Sequence, residues 1–170
     1  MRLPLRRLRA EGTEGFRASR MALIKLILIR REIPVSETLN RDEHHPAYLC
    51  GRLLAVFEQI QYAALRDVNA NVVDKFYGTF SAAPALVFAR LVSNAQNHLR
   101  KLRGDNPGAF VANDRRLAEV LNLLGTTPPP TQFSLQDQGR FALGYYHEKA
   151  KRFEEIAAKK AEKSAKDVTN

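Results

Sequence analysis

Apolar positions recur along the chain at intervals of three and four residues. No period-two alternation is long enough for a strand, so the pattern predicts an all-α protein. A first helix is expected over about residues 14–31, capped by Thr13 and stopped at Ile33-Pro34, because a residue before proline avoids helical geometry. Its stretch Met21 to Ile29 is apolar nearly all round except at Lys25, the pattern of a helix central to a bundle. Arg30 and Arg31 complement the dipole at its C-terminal end. Pro46 opens a second helix, since proline at the first helical position loses no needed hydrogen bond. Leu49, Leu53, Val56, Phe57, Ile60 and Ala64 form its stripe to about Asp67, with Arg52, Gln59 and Arg66 off that face. A shorter helix is expected over Val72 to Phe80. Pro84 opens another that reaches about Arg103 and stops at Gly104, with Leu91, Ala95, Leu99 and Leu102 on its apolar side.

Further along, Asn113 or Asp114 is expected to cap a helix carrying Leu117, Val120, Leu121 and Leu124, which ends at Gly125. Thr126 to Thr131, with three consecutive prolines, reads as a stiff connector. Ser134-x-x-Asp137 resembles a capping box and opens the last helix. That helix is expected to bury Phe141, Ala142, Tyr145, Tyr146 and Phe153, and to fray beyond about Ala158, where apolar anchors run out. The sum is a bundle of five to six helices. A basic segment (residues 1–12) precedes the helical domain (13–158), and a lysine-rich tail (159–170) follows it.

Composition narrows the class. At 170 residues and 45% hydrophobic the chain suits one globular domain. Its single cysteine, Cys50, cannot form an internal disulfide, sits in an apolar stretch and reads as a small buried hydrophobe. The run from Met21 to Ile29 is too short to cross a bilayer and carries Lys25 in its middle, so a cytoplasmic chain without a membrane partner is expected. The net charge of +9 points to polyanions. Its distribution is uneven. Residues 1–31 hold nine Lys/Arg against two acids, residues 32–146 hold eleven against eleven, and residues 147–170 hold seven against five.

Catalysis needs convergent groups, and few are visible. Glu43-His44-His45 with Cys50 matches no standard zinc spacing. The remaining acids are scattered, as solvated pairs usually are, whereas metal-dependent nucleases group them. Gly104 to Gly108 reads as a turn and no phosphate cradle is present. His98 and His147 have no identifiable triad partner. No catalytic, metal or cofactor-binding residue is expected, and the chain reads as a non-enzyme.

The positive signal concerns binding. Arg90, Asn94, Asn97 and Lys101 fall at offsets of four, seven and eleven, along one side of a helix, with Arg100 and Arg103 beside them. Such residues make phosphate and sugar contacts, and helix propensity gives no reason for two asparagines on one face. With basic residues elsewhere on the chain, the candidate nucleic-acid contacts are Arg20, Arg52, Arg90, Asn94, Asn97, Arg100, Lys101, Arg140 and Lys151.

Several ordered segments carry a family resemblance. His45-Pro-Ala-Tyr-Leu-Cys-Gly-Arg-Leu-Leu-Ala-Val56, Asp74-Lys-Phe-Tyr-Gly-Thr-Phe-Ser-Ala-Ala-Pro84, Val87-Phe-Ala-Arg-Leu91 through His98-Leu99, and Gln138-Gly-Arg-Phe-Ala-Leu-Gly-Tyr-Tyr-His147 together resemble the C-terminal region of the large subunit of the type I-C CRISPR surveillance complex, Cascade. The similarity covers most of residues 18–153. It implies a separately translated small subunit, made from an internal start, without the portion of the large subunit associated with recognising the motif beside the target. It further implies a helical bundle present in several copies. Its partners would be the Cascade backbone and large subunits, the guide RNA complex and the displaced strand of target DNA in the R-loop. By the same resemblance Gly78, Gly144, Tyr145 and Tyr146 serve packing. A free-standing helical DNA-binding regulator would need a tight helix-turn-helix, and a helical metal-dependent nuclease would need a ligand cluster. Replacing Arg90 and Lys101 together by alanine is expected to lower the DNA affinity of the assembled complex and flatten its salt dependence without unfolding the chain, as titrations at several salt concentrations would show.

Overall fold

The computed structural model describes residues 39–65, 70–126 and 128–168. The first expected helix, with Met21 to Ile29, lies outside the described residues, as does Arg20. Five helices and no strand are found among the described residues: α1 (Pro46–Ala64), α2 (Val72–Ala82), α3 (Pro84–Asp105), α4 (Pro107–Leu124) and α5 (Leu135–Val168). The all-α bundle follows directly. None of the helices is long and apolar enough to cross a membrane.

Local chemistry explains most boundaries. Pro46 opens α1 as expected, and His45 caps it, its Nδ1 accepting from the Ala47 N–H at 3.2 Å. Asn71 does the same for α2 through the Val73 N–H. Ala83, immediately before Pro84, leaves the helical region at φ −137°, ψ 70°, so a single residue divides α2 from α3. The same device recurs at Asn106-Pro107, and this corrects two expectations. Gly104 does not stop its helix, which runs on to Asp105. The next helix starts not at Asn113 or Asp114 but at Pro107, where the Asn106 Oδ1 accepts from the Ala109 N–H at 3.0 Å. Asn113 instead lies buried inside α4 and donates to the Ala109 carbonyl one turn back. Gly125 ends α4 at φ +73°, and the Ser134–Asp137 capping box closes reciprocally on α5. That last helix stays helical to Val168 where fraying was expected. Phe153, expected in the core, is about half exposed.

The bundle is organised around α1. Every side chain from Ala47 to Glu58 is buried, and the helix touches all four others, α5 most extensively. Two glycines permit that closeness. A Cβ on Gly51 would collide with the Phe141 carbonyl, and one on Gly144 with the Tyr48 carbonyl. The crossing is thus backbone against backbone. Around it, Tyr77 of α2 meets Phe141 and Tyr145 of α5 edge to face at 5.4 and 5.6 Å, and Phe80 meets Phe141 at 5.5 Å. Cys50 is fully buried beside the crossing, and burial pushes its thiol up to about 12. Gly144 therefore packs as the resemblance implied. Gly78 does not, since nothing lies within 4 Å of the position its Cβ would take. Gly51→Ala and Gly144→Ala are each expected to cost about 1–3 kcal/mol or more in denaturant unfolding, whereas Gly78→Ala should gain up to about 1 kcal/mol from helix propensity.

Candidate nucleic-acid interface

The face of α3 expected from helical spacing exists at the surface. Arg90, Asn97, Arg100, Lys101 and Arg103 are exposed, and Asn94 is half-buried. Three of them are already engaged, Arg103 by lying over the Phe110 ring of α4 at 5.8 Å. The Arg90 guanidinium lies over the Phe76 ring at 5.3 Å. Lys101 donates to the Ala64 carbonyl at 3.0 Å and to Asp105 at 2.9 Å, so it also caps the C-terminal end of α1. Arg90 and Arg100 are therefore the cleaner pair for probing this face, since removing Lys101 also loosens a helix end. Lys75, from α2, shares a small pocket with Arg90, Asn94 and His98.

Three other expected residues lie apart from this face. Arg140, at the start of α5, is held by Asp137 at 3.3 Å and stands 3.0 Å from the His45 Nε2. Burial, with Arg140 alongside, lowers the His45 pKa, which suits a cap that must keep Nδ1 unprotonated. Lys151 is half-buried on α5, 3.7 Å from Glu155.

Arg52 is the correction. It was expected off the apolar face as a nucleic-acid contact, but its side chain is fully buried. The reason is charge: the Arg52 Nε donates to Glu148 of α5 at 2.9 Å, and its Nη2 to Glu119 of α4 at 3.4 Å. Arg116 joins both carboxylates, at 3.3 Å from Glu119 and in close contact with Glu148. Two arginines and two glutamates thus tie α1, α4 and α5 together. Burial alone would lower the Arg116 pKa, but Glu148, Glu119 and Glu155 hold it above its ordinary value. Burial would raise Glu119, yet Arg116, Arg52, Lys151 and Arg41 together hold it below its ordinary 4.5.

Sequence reasoning missed a second cationic region beside this cluster. A cleft of about 460 Å³ is lined by Arg41, by Arg115 and Arg116 of α4, and by Arg152 and Lys159 of α5, with Glu119 and Glu155 in its wall. A partial signal existed in Arg152, Glu155, Ile156 and Lys159, which share one helical face. That α4 would bring Arg115 and Arg116 opposite them was not readable from spacing.

Two outcomes follow for the charge cluster. Glu148→Gln is expected to destabilise the chain by about 3–5 kcal/mol in denaturant unfolding, because it strands buried cations. Since the folded Glu119 pKa is lowered, the stability it contributes is present above the ordinary glutamate value. It is lost as pH falls through the lower folded value. Unfolding measured down this range should show a steeper acid loss in the parent chain than in Glu119→Gln.

Comparison with known proteins completes the picture. No curated protein matches the chain. A family model described as CRISPR-associated protein (Cas_Csd1) matches residues 1–153, including residues 1–17, which lie before the span of the resemblance. With 153 of its 170 residues matched, this helical, cation-faced chain belongs to the Cas_Csd1 family of CRISPR-associated proteins.

Proposed function

We propose that the chain is the non-catalytic small subunit of a type I-C CRISPR surveillance complex. In this reading it packs along the backbone subunits, in more than one copy, and holds the displaced strand of target DNA without reading its sequence. The observation that carries the reading is the exposed cationic side of α3. Arg90, Arg100 and Lys101 lie on a helix whose sole acid is Asp105. Family membership supplies the setting.

The physics of such a role is simple. Opening a DNA duplex against a guide RNA exchanges one duplex for another of similar stability, so modest contacts to the released strand shift the balance. Phosphate contacts supply them without discriminating among bases, and need a surface rather than an active site. Asn97 and Asn94 add hydrogen bonds to sugar or phosphate oxygens.

Binding of labelled single-stranded DNA should weaken steeply with salt and be indifferent to sequence. Arg90→Ala combined with Arg100→Ala should reduce the magnitude of the log–log salt slope by about 1.4, two contacts at about 0.7 each. Strong sequence selectivity would overturn the reading. So would DNA cleavage on adding divalent metal ions, which would place the chain among nucleases.

A further inference from the structure

The cleft between α1, α4 and α5 holds more positive charge than its own acids neutralise. Its two carboxylates are engaged from behind. Glu119 receives Arg52 at 3.4 Å and Arg116 at 3.3 Å, and Glu155 faces Lys151 at 3.7 Å and Arg116 at 4.0 Å. Arg41, Arg115, Arg152 and Lys159 remain around the opening, and none forms an ion pair among the described residues. Behind the lining residues, next to Glu119 and Glu155, donors are unspent. The buried Arg52 Nη1 and the shielded Lys151 Nζ have no hydrogen-bond acceptor. Burial, then repulsion from Arg116 and Arg41, pulls the Lys151 pKa down, a sign of cations crowded without enough counter-charge.

Crowded cations around an open cavity are stabilised by an anion. Four of the five basic residues lining the cleft are arginines, whose planar forks match the oxygens of phosphate two at a time. Only Ala112 and Ile156 among the lining residues are apolar, too few to seat the side chains of an acidic peptide. The volume of about 460 Å³ lies within the range of small-ligand sites.

We infer that this cleft is a phosphate-binding site, with Arg41, Arg115, Arg152 and Lys159 contacting the ligand and Arg116 positioned by Glu148 behind them. Phosphate groups of a nucleic-acid strand and those of a free phosphate compound present the same chemistry to it. The site is distinct from the α3 face and does not depend on the role proposed for that face.

The test uses the full chain and inorganic pyrophosphate as probe. Pyrophosphate should raise the unfolding temperature, and Arg115→Gln combined with Lys159→Gln should weaken its binding at least tenfold. Both side chains are exposed and free of ion pairs among the described residues, so the variant's unfolding temperature without ligand should match the parent's. Arg90→Ala with Arg100→Ala should leave pyrophosphate binding unchanged, which separates failure at the cleft from failure at α3. Competition by a single-stranded oligonucleotide would identify a strand as the source. Pyrophosphate binding without that competition would identify a free phosphate compound. Equal affinity in parent and cleft variant, no binding at all, or equal competition by a polyglutamate peptide would overturn the proposal.

Discussion

Two helices touching through their backbones set the terms for everything else in this bundle. Where Gly51 of α1 meets Phe141, and Gly144 of α5 meets Tyr48, no side chain separates the axes. That closeness buries the first three turns of α1 on all sides and draws every other helix in around it. The consequence is a polar problem. A helix surrounded on all faces must still place its off-stripe residues somewhere, and Arg52 and Glu58 are two of them.

Each is resolved by a partner from a distant part of the chain. Glu58 accepts from the Tyr145 hydroxyl at 2.9 Å and from Lys149 at 2.7 Å, both on α5. Arg52 finds Glu148 on the same helix, 96 residues away, together with Glu119 on α4. Buried ion pairs add little net stability because desolvation offsets attraction, but a wrong register would leave a charge uncompensated. In this chain they fix how α5 slides along α1, a specification that the apolar stripe alone leaves loose.

What could be read from the sequence divides along this line. Prolines at 46 and 84, Gly125 and the Ser134–Asp137 box act within a few residues of themselves, and the helix ends they set were recovered from spacing. Gly104 misled because an internal glycine is only mildly unfavourable in a helix, whereas Asn106-Pro107 two residues on forbids continuation. The α3 surface was readable because one helix face suffices to define it. Arg52 and the cleft were not, because their environment is made by helices that meet only in the folded chain. An arginine off the apolar stripe looks solvent-facing until a carboxylate arrives from elsewhere. The same arrival covers Arg52 and opens Arg115 and Arg152 to a common space.

The single-residue divisions at Ala83 and Asn106 carry a mechanical meaning. With one non-helical residue at each joint, the direction of α3 relative to its neighbours is fixed by the torsions at Ala83 and Asn106, stiffened by the proline after each. Inserting or deleting a residue at either joint would replace those torsions and redirect α3, carrying its charged side with it. The connector before α5 is tied to the same joint, since the Phe133 N–H donates to the Ala82 carbonyl at 2.8 Å and its ring is buried. Length variation is therefore costly around α3, where the outward bearing of the arginines is geared to two peptide units and to the Phe133 anchor beside the first of them.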